Sequence, residues 1–176
     1  LIEETLTGVS NVPGRFERIQ EGQDFTVVVD YAHTDDALQR LLEAAQTIKQ
    51  GQIITIFGCG GDRDPGKRSK MGQVAVKKSD RVIVTSDNPR TEDPQAILAD
   101  IEKGIEALPL EERCSFQVIS DRAEAIQAAI DLARAGDLVL IAGKGHEDYQ
   151  ILGTQKVHFD DREEARKAIL QRRRSN

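Results

Sequence analysis

Tryptophan is absent from this 176-residue chain, and aromatic residues make up only 4% of it. With 39% hydrophobic residues, its core must be built mostly from Val, Ile, Leu and Ala. Cysteine is nearly absent too. Cys59 and Cys114 are too few for a disulfide framework and lack paired metal-ligand spacing. They read as two idle thiols in a reducing compartment. No apolar run approaches the roughly 20 residues that a membrane span needs, and no stretch reads as a secretory signal. Excess positive charge is also lacking. Lys and Arg number 24 against 30 Asp and Glu, a formal net charge of −6. That balance argues against general nucleic-acid binding, which wants a basic face, and the terminal QRRR is too short and local to overturn it.

What is present is a repeated alternation. Apolar runs of strand length recur as FTVVVD (25–30), QIITIF (52–57), RVIVTS (81–86), SFQVIS (115–120) and DLVLIA (137–142). Rich in Val and Ile and apolar on both faces, they read as buried parallel strands. Helical patterns lie between them. Thr34 caps a helix with Leu38, Leu41, Leu42 and Ala45 on one face, and Asp35 and Asp36 at its positive end. Met71, Val74 and Ala75 mark a shorter helix. Asp93 and Pro94 read as N-cap and first helical position before Ile97, Ile101 and Ile105. Asp121 with Glu124 resembles a capping box before Ile126, Ala129, Ile130 and Ala133. YQILGTQKVHF reads as a hairpin turning at Gly153-Thr154, and Asp160 or Asp161 caps a last helix. The expected fold is α/β, a three-layer Rossmann-like domain with a mainly parallel sheet and a C-terminal hairpin and helix.

Ligands of open parallel sheets bind beyond the carboxyl ends of the strands. The loops there are DYAHT, GCGGDRDPGKR, SDNPRT and GKGHEDY, and they hold two of the three histidines and much of the glycine. Gly61-x4-Gly66-Lys67 imitates a P-loop, but Arg68 stands where Ser or Thr would bind magnesium. GCGGDR also breaks the dinucleotide fingerprint, with Arg63 in place of the third glycine. Asp30, Tyr31 and His33 stand at one strand end, where an acidic residue can accept from a ribose. Lys144, His146 and Glu147 sit on a glycine-flexed turn without the spacing of a zinc helix. In DNPR, Pro89 stiffens the backbone beside Arg90, whose planar guanidinium suits a carboxylate or phosphate. Each loop alone is explained as well by a solvated turn. Their shared sheet edge is the stronger sign.

The strings VPGRFE, VVVDYAHT, FGCGGDRDPGKR, MG, SDNPRTEDP and AGKGHEDYQ, in this order, resemble the C-terminal domain of the Mur ligases from about Val12 to Leu170. Within that family they are most similar to the tripeptide synthetases that add meso-diaminopimelate, in which DNPR is the associated form. The resemblance implies a cytoplasmic step of peptidoglycan synthesis. ATP would activate a carboxylate of UDP-N-acetylmuramoyl-L-alanyl-D-glutamate as an acyl phosphate, and the amine of meso-diaminopimelate would attack it. It further implies that Arg63, Asp87, Asn88, Arg90, Gly143 and Glu147 bind the amino acid, and that Arg15, Asp30 and His33 contact the ATP side. No catalytic residue and no metal ligand is expected here. The family's P-loop, magnesium ligands and carbamylated lysine belong to a central domain. Residues 1–14 then read as a linker from that domain, and 15–176 as the domain itself. The chain begins at Leu1 and reads as a fragment of a longer protein, inactive alone. Its YAHTDD differs from the usual YAHTPD at Asp35, which alters a helix start and no ligand.

Three other readings remain at this point. Folylpolyglutamate synthetase shares architecture and mechanism but adds glutamate to folate. A non-catalytic module could bind a nucleotide or amino acid with the same loops. A dinucleotide oxidoreductase is suggested only by the alternation and GCGG.

Overall fold

The computed structural model describes residues 12–175; residues 1–11, most of the expected linker, lie outside them. After β1 (Glu17–Ile19) and β2 (Thr26–Asp30) come α1 (Asp35–Ile48), β3 (Ile53–Phe57), α2 (Gly66–Lys78) and β4 (Arg81–Val84). Then follow α3 (Pro94–Glu106), a 3-10 turn (Leu110–Glu112), β5 (Ser115–Val118), α4 (Arg122–Leu132) and β6 (Leu138–Ala142). The hairpin β7 (Tyr149–Leu152) and β8 (Gln155–His158) leads to α5 (Asp161–Ser175).

The main sheet has the order β1-β2-β6-β3-β4-β5. All its pairings are parallel except β1 with β2. Alternate strand residues feed two cores, as a period of two requires. Val28, Phe57, Val82, Val84 and Leu140 pack with α1, α2 and α3 on one face. Val27, Val29, Ile54, Ile56, Ile83 and Ile141 pack with α4 and α5 on the other. Crossover handedness accounts for this division. The chain moves outward from β2 to β3, β4 and β5, then returns through α4 to insert β6 between β2 and β3. Right-handed crossovers running in opposite directions place their helices on opposite faces. The carboxyl ends beside β6, where connections leave to opposite sides, are therefore the expected place for a ligand.

The expected five strands and three helix caps are present. Thr34 accepts from the Ala37 amide, Asp93 from Gln95, and Asp121 from Glu124. Asp160 caps α5, its carboxylate accepting from the Arg162 amide at 2.8 Å. The differences have local causes. The helix expected to be short, α2, runs 13 residues, as long as α3. Strand β5 is not apolar on both faces, because it lies at the sheet edge with Ser115 and Gln117 exposed. Strand β1 was not expected at all: ERI offers one apolar residue, Ile19, and its backbone pairing with β2 supplies the rest.

Candidate functional site

All four loops meet at the carboxyl edge, and hydrogen bonds between them position the side chains. The loop after β4 is central. Asn88 is buried, with Oδ1 accepting from the Ile151 amide at 3.0 Å and from Lys144 Nζ at 3.3 Å. Its Nδ2 donates to Glu147 Oε2 at 3.1 Å. Asp87 is buried beside it, 3.6 Å from Lys144 Nζ, and its carbonyl accepts from Gln150 Nε2 at 2.9 Å. The Asp87 carboxylate also explains Gly143. A Cβ there would lie 2.9 Å from Asp87 Oδ2, and its φ of +121° suits glycine alone. Glu147 reaches back to Lys144 at 3.3 Å, and its negative charge pushes the Tyr149 phenol above its ordinary pKa.

Arg90 adopts a left-handed φ of +54°, uncommon for a residue other than glycine. The hairpin enforces it: the Arg90 amide donates to the Ile151 carbonyl at 3.0 Å, and the Gly153 amide donates to the Arg90 carbonyl at 2.8 Å. This isolated bridge to Leu152 makes the segment a short third strand of the hairpin. The guanidinium Nη1 donates to the Gly61 carbonyl at 2.9 Å. Among the described residues no carboxylate pairs with Arg90. The GCGG turn must lie close for this, and a Cβ on Gly61 would sit 1.9 Å from the Pro89 carbonyl oxygen.

A second clamp joins these two loops. Thr91 donates to the Asp62 carboxylate from both its hydroxyl and its amide, lowering the Asp62 pKa. Glu92 accepts from the Asp62 amide at 2.6 Å and takes a two-pronged bond from Arg68 Nη2 at 2.8 Å. Arg68, which breaks the P-loop pattern, is thus a buried strut that also bonds Asp100 at 2.9 Å. Lys67, the lysine of the imitation, donates to the His33 carbonyl at 2.9 Å.

Arg63 is exposed on this turn, its guanidinium bonded only to the neighbouring Asp62 carbonyl at 3.0 Å among the described residues. It shares the edge, but among the described residues no hydrogen bond or ion pair joins it to the Asn88–Glu147 group. On the other side of the edge, Asp30 accepts from the Phe16 and Ala32 amides, each at 2.8 Å. It anchors the turn that carries Arg15, leaving each oxygen one further lone pair. The exposed Arg15 guanidinium lies 5.6 Å from the Tyr31 ring centroid. His33 donates from Nδ1 to the Tyr31 carbonyl at 2.8 Å, leaving Nε2 as an acceptor in the neutral ring. The Tyr31 ring also lies 4.5 Å from that of His33 and 5.5 Å from that of His146.

The edge therefore has two parts. One presents acidic Glu147 and Asp87 beside basic Arg90, with the donor Asn88 between them. The other presents Arg15 and His33 around Tyr31. The first part thus holds groups of both charge signs, and the second offers the Arg15 cation. Sequence reasoning assigned no supporting role to Gln150, Arg68 or Arg122, whose partners are remote in the chain. Arg122 is fully buried with Asp161, both Nε and Nη2 donating at 2.7 Å. It also donates to the carbonyls of Ser86, just past β4, and Ala142, the last residue of β6. Burial disfavours its charge, but Asp161 outweighs that and raises the pKa. Cys59 is buried, its thiol pushed up to about 12. No helix among the described residues is long and apolar enough to cross a membrane.

The chain is similar to proteins already known. The chain is 59% identical over 162 residues to a UDP-N-acetylmuramoyl-L-alanyl-D-glutamate--2,6-diaminopimelate ligase of Synechococcus elongatus, covering 92% of this chain and 32% of that protein. A solved structure of a ligase of the same name superposes with a TM-score of 0.84 at 43% identity, covering 97% of this chain and 34% of that one. A folylpolyglutamate synthase from Thermotoga maritima shares the fold alone, with a TM-score of 0.55 at 23% identity over 81% of this chain and 30% of that one. The chain spans about a third of the length of the curated relatives it matches. The family described as Mur ligase, glutamate ligase domain matches residues 14–145, and the chain belongs to it.

Proposed function

We propose that this chain is the amino-acid-recognising, ATP-closing domain of a ligase that adds meso-diaminopimelate to UDP-N-acetylmuramoyl-L-alanyl-D-glutamate, a cytoplasmic step of peptidoglycan synthesis. The whole protein would use ATP to activate a carboxylate as an acyl phosphate, which the incoming amine converts to an amide. The observation that carries this reading is that Arg90, free of any carboxylate among the described residues, and Glu147 stand on one edge and both bond Asn88, Arg90 donating to its carbonyl and Glu147 accepting from its side-chain amide. Diaminopimelate carries an ammonium and a carboxylate at each end, so it needs recognition groups of both signs.

In this reading Arg90 binds the distal carboxylate and Glu147 an ammonium. Asn88 and Asp87 shape the space between, Gly143 lets the β6 loop approach, and Arg63 reaches the amino acid from the exposed turn. Arg15 meets a phosphate of ATP, and Asp30 and His33 support it or meet the ribose. Magnesium would be held mainly by residues of another domain. By itself the chain is proposed to be inactive, since it contains no G-x-x-x-x-G-K-[ST] sequence.

The test is an ADP-release assay on the full-length protein that carries this chain. Turnover should require both the nucleotide-linked dipeptide and meso-diaminopimelate. Preference for glutamate and folate, or nucleotide binding without turnover, would overturn the reading.

A further inference from the structure

A lysine ammonium with no solvent exposure lies beneath the proposed amino-acid site. The Lys144 side chain is 0% exposed. Its Nζ meets Asn88 Oδ1 at 3.3 Å, Glu147 Oε2 at 3.3 Å and Asp87 Oδ1 at 3.6 Å. The Tyr149 ring centroid lies 5.4 Å away. A buried ion pair is seldom the best way to fill space, because apolar residues of similar volume often do so at no loss of stability. The charge therefore calls for another explanation, and its partners supply one. Asp87, Asn88 and Glu147 are all residues of the site.

We infer that Lys144 is a positioning residue of the amino-acid site: its buried ammonium orients Asn88 and Glu147 and fixes the charge that a substrate ammonium meets. This rests on the functional reading above. Both donors to Asn88 Oδ1, the Lys144 ammonium and the Ile151 amide, are donors only. The amide is thereby locked with Nδ2 toward Glu147. The turn adds to the constraint, since the Glu147 amide donates to the Lys144 carbonyl at 2.9 Å. With Arg90 set aside for the distal carboxylate, one ammonium against the carboxylates of Asp87 and Glu147 leaves one negative charge uncompensated. The nearby Arg122 does not supply the balance, because Asp161 already neutralises it. An incoming ammonium brings the group to neutrality. Glu147 faces the edge with its side chain 18% exposed, so that charge is presented there.

The experiment is Lys144→Met in the full-length protein that carries this chain. The KM for diaminopimelate should rise by about tenfold or more, with the KM for ATP within about twofold of wild type and kcat falling less than KM rises. Without the ammonium, the carboxylates of Asp87 and Glu147 lose the cation they share. A rise confined to the KM for diaminopimelate is what a space-filling role would not produce. A folded variant with unchanged KM overturns the role of Lys144 alone. Wild-type protein that saturates with no diamino acid overturns the functional reading and this role with it. Where Lys144→Met does not fold, the wild-type ammonium is read directly through its 15N resonance. That resonance should shift as the amino acid saturates the protein, and a resonance that stays still overturns the inference.

Discussion

Asn88 and Glu147 stand on different loops, 59 residues apart, and are joined by a 3.1 Å hydrogen bond from the Asn88 amide to the Glu147 carboxylate. The bond links the end of β4 to the end of β6. Because Asn88 also accepts from the hairpin at Ile151, one side chain ties three segments of the edge. The placement of Glu147 and the local course of the Arg90 backbone are therefore coupled through Asn88.

Asn88→Asp keeps the acceptor for Ile151 and Lys144 but turns the donor toward Glu147 into a like charge. Losing a buried, satisfied partner costs about 1–3 kcal/mol. Urea denaturation should show a loss of that size at neutral pH. An unchanged midpoint would mean that Asn88 does not tie these segments.

Arg122 and Asp161 form a fully buried pair below the site. Asp161→Leu alone, or Arg122→Met alone, leaves one charge uncompensated in the core, and each should cost about 3–5 kcal/mol. The double change Arg122→Met with Asp161→Leu should cost much less than the two single losses added together. Denaturant titration of the three variants measures the coupling, and simple additivity would contradict it.

His158 accounts for a pH effect away from the site. The hydrogen bond from its Nε2 to Glu163 at 2.6 Å raises its pKa above 6.5. With the folded value raised, the stabilisation is fully present below the unfolded pKa near 6.5 and is lost as pH rises through the folded value. NMR titration should place His158 above 6.5, and Glu163→Gln should bring it down toward that value. A titration unaffected by Glu163→Gln would remove the pair from the account.

The parts of the fold that local patterns encode were legible in the sequence. Strands rich in Val and Ile, and caps at Thr34, Asp93 and Asp121, depend on neighbours within a few residues. The hairpin turn at Gly153 was legible for the same reason: Gly153 has a φ of +62°. Strand β1 was not, because its three residues carry no periodicity and are fixed by pairing with Val27–Val29. In the site, motif strings and the sheet-edge rule brought Arg90, Asn88 and Glu147 together. The role of the struts was not legible. Arg68 meets Glu92 and Asp100, and Arg122 meets Asp161, across separations of 24 to 39 residues. Such pairings follow from packing, and no local spacing marks them. Nor could composition show the left-handed backbone at Arg90, which the hairpin imposes.

The central claim is that Arg90 reads a distal carboxylate, and amino-acid preference tests it most directly. The measurement is kcat/KM of the full-length protein for meso-diaminopimelate and for lysine, before and after Arg90→Ala and Arg90→Lys. Loss of a desolvated, charge-matched partner costs about 2–5 kcal/mol, roughly thirtyfold to several thousandfold. The expected result is a loss of that order with diaminopimelate and a far smaller one with lysine, which lacks the distal carboxylate. Equal losses with both amino acids would contradict the role assigned to Arg90.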